Sequence, residues 1–408
     1  MRALIWCRND LRIHDHEGLY RASKDPREQI GLYAMDPRHF GATSAGFSKT
    51  GAHRAEFLLE SLKQLRYNLQ ILGRDLVIRK CSAAEAIHEV SPIDVIYFQE
   101  EFTLEERTAE NEVRALGIEM RSFCGKTLVH PEDVVKGIDR LPNGFTSWRK
   151  RQEAHWTVRP EFEIPAELFF PETVHPGSIP SLDELGLERP PKESRAVMEF
   201  RGGESEGLAR LDDYFWKRDQ LRQYKETRNG LIGADYSSKF SPWLANGSLS
   251  PRRIYNEVKR YENERVQNES TYWLVFELLW RDFFNFKSIK LGDAFFKHPA
   301  VGRIKKPWDL REFRAWATGE TGEPFVDANM KELAATGFMS NRGLQNVASY
   351  LINDLGVDWL AGAEWFESRL IDYDVTSNYG NWTYLAGNGA DSRGKRYFNR
   401  VDGPATKT

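Results

Sequence analysis

The chain has 408 residues, of which 40% are apolar and 29% charged, so a wholly disordered chain is excluded. No apolar run approaches the roughly 20 residues that span a bilayer, and the start of the chain lacks the long apolar core of a signal peptide. We therefore expect no membrane partner and a cytoplasmic location. The net charge of −3 gives no global attraction for nucleic acid, so DNA binding would require a local basic patch.

Residues 1–130 alternate strand and helix patterns. Short β-branched or apolar runs predict strands, and apolar residues at helical spacing predict helices at residues 52–72 and 103–116. This alternation predicts an α/β domain with a doubly wound parallel sheet. The chain has no G-x-G-x-x-G sequence, and Gly125-Lys126-Thr127 lacks the earlier glycine of a P-loop, so neither motif is predicted. The predicted strands are 3–7, 30–34, 75–78, 95–98 and 119–122.

The rest of the chain changes character twice. Residues 131–200 form a predicted interdomain connector, because nine of the 18 prolines lie between Pro131 and Pro191 without sustained periodicity. Residues 201–408 form a predicted all-helical domain, with nine of the 12 tryptophans but one histidine, His298, so no metal site is predicted. The predicted helices are 206–225, 250–261, 271–291, 310–317, 325–337, 342–355 and 362–370.

The helix predicted at 271–291 combines burial with charge. It is apolar on nearly every face, yet Glu277 and Arg281 lie one turn apart on it. One interpretation is an intrahelical ion pair near the surface. The other is that both side chains line a pocket, because a buried charge needs a partner or a ligand. The surrounding aromatic residues favour the pocket.

Three polar features have both a structural and a functional interpretation. Residues 235–242 (Asp-Tyr-Ser-Ser-Lys-Phe-Ser-Pro) precede a helix and either cradle a phosphate or form a loop with an N-cap serine. Residues 372–382 concentrate two carboxylates, two carboxamides and three aromatic rings between helices, as a binding site or as a polar turn. Asn341 and Gln345 lie one turn apart on a predicted helix, an arrangement that is usually solvated.

Several long motifs, taken in order, resemble the DNA photolyase/cryptochrome family over nearly the whole chain. Residues 8–15 (Arg-Asn-Asp-Leu-Arg-Ile-His-Asp) resemble its first strand-to-loop signature. Asn341-Arg342-Gly343 and residues 372–382 resemble its flavin-site motifs. Within the family the chain is most similar to the DASH cryptochromes, on the wording of residues 234–237, 277–284 and 377–384. Ordered long motifs are far more specific than any single short one.

The resemblance implies non-covalent FAD, bound in a bent conformation inside the helical domain. Glu277 and Arg281 would lie between the flavin and the substrate, and Asn341 would border both. The residues implied around the diphosphate and ribityl chain are Tyr224, Ser237, Ser238 and Ser241. Those implied against the isoalloxazine ring are Asp372, Asp374 and Asn378, with the Asn378 amide near N5, where it can accept from an N–H without adding charge.

The implied activity is blue-light-driven repair of cyclobutane pyrimidine dimers, in which excited reduced FAD lends the dimer an electron and regains it after the ring splits. Glu277 and Asn341 would hydrogen-bond the paired bases, and Trp280 would stack on the flipped dimer. Gln345 and Tyr384 stand where duplex-specific photolyases tend to have Met and Trp, which implies UV-damaged, mainly single-stranded DNA as the partner. We expect a monomeric enzyme, a deoxyribodipyrimidine photo-lyase of the DASH type. The alternative is a blue-light photoreceptor that signals through a protein or nucleic-acid partner with little repair activity.

Two further features follow from the resemblance. Trp382, Trp359 and Trp308 correspond to the family's tryptophan chain from flavin to surface, although three core aromatics would be the simpler interpretation without it. The chain ends shortly after Phe398, so no long signalling tail is expected, which favours enzyme over receptor. Positive charge for DNA is expected from a set of basic residues, and the alternative is that they form an exposed, solvated cluster. These residues are Arg303, Lys305, Lys306, Arg393, Lys395 and Arg396.

An antenna pigment is also implied. Residues 145–153 resemble the DASH segment that lines a folate site, which implies 5,10-methenyltetrahydrofolate with Glu101 and Glu153 as acidic contacts to the pterin ring. The alternative is an amphipathic helix that closes the connector. One residue departs from the family: Leu344 stands where an arginine usually pairs with the first flavin-site carboxylate, here Asp372. Asp372 is therefore predicted to lack that partner or to find another cation.

Overall fold

The amino-terminal part of the molecule is built on one parallel sheet. The computed structural model describes residues 1–43, 46–166, 171, 173–296 and 307–387. The sheet has the strand order β3-β2-β1-β4-β5, and Ile5 of the central strand lies between Gly31 and Tyr97. All five predicted strands are confirmed to within two residues. Their bounds are Arg2–Cys7 (β1), Glu28–Ala34 (β2), Leu76–Arg79 (β3), Val95–Gln99 (β4) and Glu119–Phe123 (β5).

Helices cover both faces of this sheet, which confirms the doubly wound α/β prediction. Alternate residues of β1 point to opposite sides: Ile5 packs with α2, and Trp6 belongs to the core that includes α3 and α4. The strand order reverses between β1 and β4, so the loops after these two strands form the edge at which such sheets bind ligands. The helices are Glu17–Ser23 (α1), Ala52–Ile71 (α2), Ala83–Glu89 (α3) and Leu104–Arg114 (α4).

The carboxyl-terminal part is helical, as predicted. Within its described residues, the predicted connector contains one α-helix, Phe145–Glu153 (α5). Among the described residues, no helix is long and apolar enough to cross a membrane. The other helices are Glu204–Asp212 (α6), Tyr224–Thr227 (α7), Ser241–Ala245 (α8), Pro251–Glu264 (α9), Glu269–Leu291 (α10), Arg311–Thr318 (α11), Pro324–Thr336 (α12), Asn341–Ser349 (α13), Trp359–Arg369 (α14) and Val375–Leu385 (α15).

Two predicted elements were wrong. The helix predicted at 206–225 breaks at Asp219, which has a positive φ of 56° because Tyr261 and Arg265 donate to its carboxylate at 2.5 and 2.7 Å. Residues 372–382 were predicted to lie between helices, but most of them form α15. Asp374 caps this helix by accepting from the backbone N–H of Ser377 at 2.9 Å.

The loop after β1 joins the sheet to the helices through buried charges. Asp15 accepts from Arg252 at 2.7 and 2.9 Å, and both side chains are at most 3% exposed. Arg12 donates to the carbonyl of Gly247 at 2.7 Å, and His14 pairs with Glu204 of α6. Because buried charges require such partners, the two halves of the chain are locked in one relative position.

The longest helix, α10, contributes a second junction. Asp282 is completely buried and accepts from the backbone N–H groups of Leu128 and Val129 at 3.0 and 2.8 Å. Burial raises the pKa of Asp282 to about 7, although both backbone donors oppose the shift. One carboxylate therefore binds the segment that follows the sheet to the centre of the helical domain.

We expect Asp282→Asn to lower the free energy of unfolding by about 1–3 kcal/mol, because an amide offers one acceptor oxygen to two buried N–H groups. Urea unfolding at pH 5.5 measures this loss, because Asp282 is then protonated and both proteins are neutral at this position, so the desolvation cost of the charge does not enter the comparison. Asp212→Asn is the matched control, since Asp212 pairs with Lys217 at the surface and should change stability by less than about 0.5 kcal/mol. Equal stability of both variants would contradict the prediction.

Candidate functional site

A cavity of about 500 Å³ lies within the helical domain, and α7, α8, α10, α13 and α15 all contribute to its wall. We call it the central cavity. It brings together all the residues predicted to contact the flavin or the lesion, and Trp382 of the tryptophan chain. These residues are Tyr224, Ser237, Ser238, Ser241, Glu277, Trp280, Arg281, Asn341, Gln345, Asp372, Asp374, Asn378, Trp382 and Tyr384. Glu101 and Glu153 of the predicted antenna site and the tryptophan Trp359 do not line it, and the side chain of Trp308 lies outside the described residues.

The hydroxyl-rich segment forms one wall around a buried cation. Lys239 is 3% exposed, with Nζ 3.5 Å from Ser237 Oγ and 3.2 Å from the ring centre of Tyr236. Burial and then the nearby Arg210 guanidinium lower the pKa of Lys239 to about 7. The N-cap of α8 is Phe240, without a side-chain cap, so the N-cap serine interpretation was wrong. The segment instead presents hydroxyls and a cation to the cavity.

Glu277 and Arg281 do not pair with each other. Glu277 pairs with Arg228 at 2.5 Å, whereas Arg281 donates to the carbonyls of Lys126 and Leu244. Burial raises the pKa of Glu277, and the attraction of Arg228 opposes the shift. The two charges line the cavity, so the intrahelical ion-pair interpretation was wrong.

The start of α15 presents a carboxylate and an amide to the cavity. Asp374 Oδ2 lies 3.2 Å from Nζ of Lys126 and 3.9 Å from Nη2 of Arg281. Burial alone would raise the pKa of Asp374, but these cations hold it well below the usual range. One turn later, Asn378 donates to the carbonyl of Ala363 at 3.0 Å, which leaves its amide oxygen as an acceptor.

Asp372 lies in the same wall without a cation. Among the described residues, no ammonium or guanidinium lies within 4.0 Å of its carboxylate, and Leu344 lines the cavity where the family usually has arginine. Burial, and then repulsion by Asp374, raise the pKa of Asp372 to about 6, although a hydrogen bond with Ser241 opposes the shift. Within the described part of the chain, neither an arginine nor another cation pairs with Asp372.

The cavity mouth carries aromatic rings and amides. Trp280 and Tyr384 meet edge to face, with ring centres 5.9 Å apart. One face of Trp280 is stacked on Phe145 of α5 at 3.8 Å, a contact that the sequence did not predict. Asn341 and Gln345, one turn apart on α13, both line the cavity rather than being only solvated.

The predicted tryptophan chain is described in part. Trp382 is 2% exposed and its ring neighbours are Phe366, at 5.1 Å, and Trp316, at 6.3 Å. Trp359 is equally buried and lies 6.3 Å from the ring of Tyr379. The side chain of Trp308 lies outside the described residues, as do His298 and the basic residues of 303–306 and 393–396.

The two carboxylates implied at the antenna have different surroundings. Glu101 is 3% exposed and accepts from Lys126 at 2.8 Å and from Asn9 at 3.0 Å. Glu153 is partly exposed at the end of α5, where it accepts from Arg149 and from the hydroxyl of Tyr272, both at 2.7 Å. Glu101 is thus committed to an internal ion pair, whereas Glu153 remains accessible.

Comparison with known families agrees with this arrangement. A family model described as DNA photolyase matches residues 3–166, and one described as the FAD binding domain of DNA photolyase matches residues 273–406. Cryptochrome DASH of Gloeobacter violaceus is 52% identical, and the match covers 97% of this chain and 81% of the relative. Cryptochrome DASH of Synechocystis is 50% identical, with 97% and 83% covered.

Solved structures give the same result. The cryptochrome of Synechocystis sp. PCC6803 has a TM-score of 0.93 at 49% identity, covering 98% of this chain and 84% of that one. A class III photolyase from Agrobacterium tumefaciens has a TM-score of 0.81 at 26% identity, covering 98% and 82%. The chain belongs to the DNA photolyase/cryptochrome family. Within that family it is most similar to the DASH cryptochromes, as the sequence motifs predicted.

The central cavity fits FAD, the cofactor of this domain. Its volume lies within the range of about 300–1,000 Å³ that is typical of ligand pockets. Lys239 has no carboxylate within 4.0 Å among the described residues, and the buried hydroxyl of Tyr236 has no hydrogen-bond partner there. The carboxylates of Asp235 and Glu332 attract Lys239 only from beyond 4.0 Å, so a diphosphate would supply an anion in direct contact with it.

We expect FAD affinity to fall as pH rises above about 7. Lys239 has a pKa of about 7 without an anion, and contact with a diphosphate would raise it. Below pH 7 the ammonium is charged in both states, so affinity is constant there. Above pH 7, binding must take up a proton, and affinity falls by up to about tenfold per pH unit. Flavin fluorescence titration of apoprotein between pH 6 and 9 measures this, and Lys239→Met should flatten the profile. A flat profile for the unmodified protein would contradict the prediction.

Proposed function

We propose that this protein is a blue-light-driven, FAD-dependent photolyase that repairs cyclobutane pyrimidine dimers, preferentially in single-stranded DNA. One observation carries the proposal. The side chains suited to a pyrimidine dimer and those suited to a flavin line the same cavity. FAD supplies light-driven one-electron chemistry when it is bound.

The chain's own residues suit the recognition of an extruded dimer. The carboxylate of Glu277, paired with Arg228 at 2.5 Å, offers oxygens that can accept from a base N–H. The carboxamide of Asn341 offers a donor and an acceptor to the edge of a base. Trp280 and Tyr384 offer rings on which bases stack, with one face of Trp280 already supported by Phe145.

Strand preference is proposed from the polarity of the mouth. Gln345 and Tyr384 supply an amide and a hydroxyl where duplex-specific relatives tend to have Met and Trp. Polar groups can bond a strand that is already unpaired, and they displace a complementary strand less well than a large apolar wedge. A single-stranded lesion also avoids the unpairing cost of a few kcal/mol.

We expect faster repair of a dimer in oligo(dT) than of the same dimer in duplex DNA. Both substrates are compared under blue light at one salt concentration, because phosphate contacts make affinity depend on salt. The double variant Gln345→Met/Tyr384→Trp should narrow the gap by improving duplex repair. Equal repair rates on the single-stranded and duplex substrates would contradict the proposed strand preference. A flavin-loaded protein that repairs neither substrate would support the photoreceptor alternative.

We expect Trp382→Phe to abolish or greatly slow photoreduction of oxidised FAD, because phenylalanine keeps the packing against Phe366 but is much harder to oxidise. Transient absorption of the flavin measures this. Repair by chemically reduced enzyme should persist, which separates electron supply from lesion binding. Trp365→Phe is a control of the same chemistry, since its ring packs on Phe47 and Phe313 rather than on Trp382. Unchanged photoreduction in Trp382→Phe would show that another route supplies the electron.

We also propose a 5,10-methenyltetrahydrofolate antenna beside α5, with Glu153 as its contact to the pterin and Glu101 as a more buried member of the site. The accessible Glu153 carboxylate supports this proposal, because it can exchange Tyr272 or Arg149 for pterin N–H donors.

We expect Glu153→Gln to weaken folate retention and to leave FAD bound, because an amide accepts more weakly than a carboxylate. Absorption spectra recorded before and after denaturation measure how much folate and how much FAD each protein retains. Glu161→Gln is a surface control that pairs with Arg253 instead. A flavin-only spectrum from folate-replete cells would contradict the antenna proposal.

A further inference from the structure

Lys126 is a buried cation that connects the sheet to the central cavity. It lies in the loop after β5 and is 4% exposed. Its Nζ lies 2.8 Å from Glu101 Oε2, in the loop after β4, and 3.2 Å from Asp374 Oδ2, at the cap of α15. A lysine buried to this degree is found in proteins only when it is paired. Here one of its two partners faces the flavin site.

The two carboxylates of the cavity wall, Asp374 and Asp372, therefore have different electrostatic surroundings. Asp374 has Lys126 on one side and Arg281 at 3.9 Å, whereas Asp372, two residues earlier, has no cation among the described residues. Glu101 is the second carboxylate that pairs with Lys126, on the side away from the cavity. Glu106 also faces this group, and its pKa is raised by burial and by the repulsion of Glu101.

The two carboxylate oxygens of Asp374 have different partners, and these connect the charge of Lys126 to the start of α15. Its Oδ1 accepts from the backbone N–H of Ser377 at 2.9 Å and from the hydroxyl of Thr376 at 2.8 Å, so this oxygen caps α15. Its Oδ2 faces the ammonium of Lys126. Without the ammonium, Oδ2 would be a poorly compensated buried anion, and protonation would be its cheapest response.

We propose that Lys126 is a positioning residue of the flavin site, which keeps Asp374 ionised and thereby holds the cap of the helix that presents Asn378 and Trp382. Gly125-Lys126-Thr127 lacks the earlier glycine of a P-loop, and the proposed role of Lys126 involves no phosphate contact. It rests on FAD binding and not on repair. It therefore stands or fails independently of the repair activity.

Lys126→Met tests the role, because methionine keeps an unbranched side chain and removes the charge. At pH 8 we expect FAD affinity to fall about tenfold, the factor that corresponds to one pKa unit of coupling. We also expect the midpoint potential of bound FAD to become more negative, since a positive charge that favours the reduced anion has been lost. As pH falls and Asp374 takes up a proton, the lost positive charge is matched by a lost negative one. The difference in potential from the unmodified protein should then shrink. The difference in FAD affinity should instead grow, because a protonated Asp374 accepts less strongly from the backbone N–H of Ser377 and caps α15 less well.

A double-mutant cycle separates this role from a structural one. In an Asp374→Asn background, the same Lys126→Met change should shift affinity and potential much less. Lys290→Met is the matched control and should change neither quantity, because Lys290 donates to the carbonyl of Leu141, at 2.7 Å, and does not line the central cavity. Lys126→Gln, also neutral but able to donate, replaces Lys126→Met if the latter does not fold.

Unchanged affinity and potential in a folded Lys126 variant would overturn the proposal. So would a shift of full size in the Asp374→Asn background, because Lys126 would then act only through Glu101. Failure of the unmodified protein to bind FAD would instead refute the cofactor premise, which the same titration detects.

Discussion

Charged groups are buried where the sheet meets the helices, and this burial constrains the rest of the molecule. Asp15 and Arg252 form a two-bond pair with almost no exposure, and Arg12 and His14 add further partners across the same junction. Removing one member of such a pair costs about 3–5 kcal/mol, because the other is left uncompensated. The junction therefore accepts only one relative position of the two halves. The position of the cavity wall is fixed in the same way, because Lys126, in the loop after β5, pairs with Asp374 of the wall.

The ionisable side chains of the cavity wall differ in charge and in pKa. The hydroxyl segment carries Lys239, which has no carboxylate within 4.0 Å among the described residues. Asp374 is held as an anion by two cations, and Asp372 has a pKa of about 6. These differences arise from neighbours and not from residue type, because Asp372 and Asp374 are both aspartates two residues apart. Burial and the repulsion of Asp374 raise the pKa of Asp372, and the neighbouring Leu344 offers no positive charge to oppose that shift.

Periodicity located all five strands and most of the helices, because apolar spacing directly reflects which face is buried. It failed at Asp219, where bonds from Tyr261 and Arg265 override a helical pattern, and at α15, where a polar composition concealed a capped helix. The site residues came from ordered motifs, which group residues that the fold brings together. Lys126 and Phe145 carry no local signal, because their roles depend on partners far away in the chain.

The packing of Trp382 has a consequence for electron transfer. Helix α14 carries glycine at position 362, and a Cβ there would lie 2.2 Å from Cη2 of the Trp382 indole. The indole edge thus lies against the backbone of Gly362, while the ring also packs on the side chains of Phe366 and Trp316. Tunnelling rates fall exponentially with separation, so a small displacement of the donor ring changes the rate of electron transfer steeply. For the route proposed through Trp382, a side chain at position 362 would displace the ring and alter that rate.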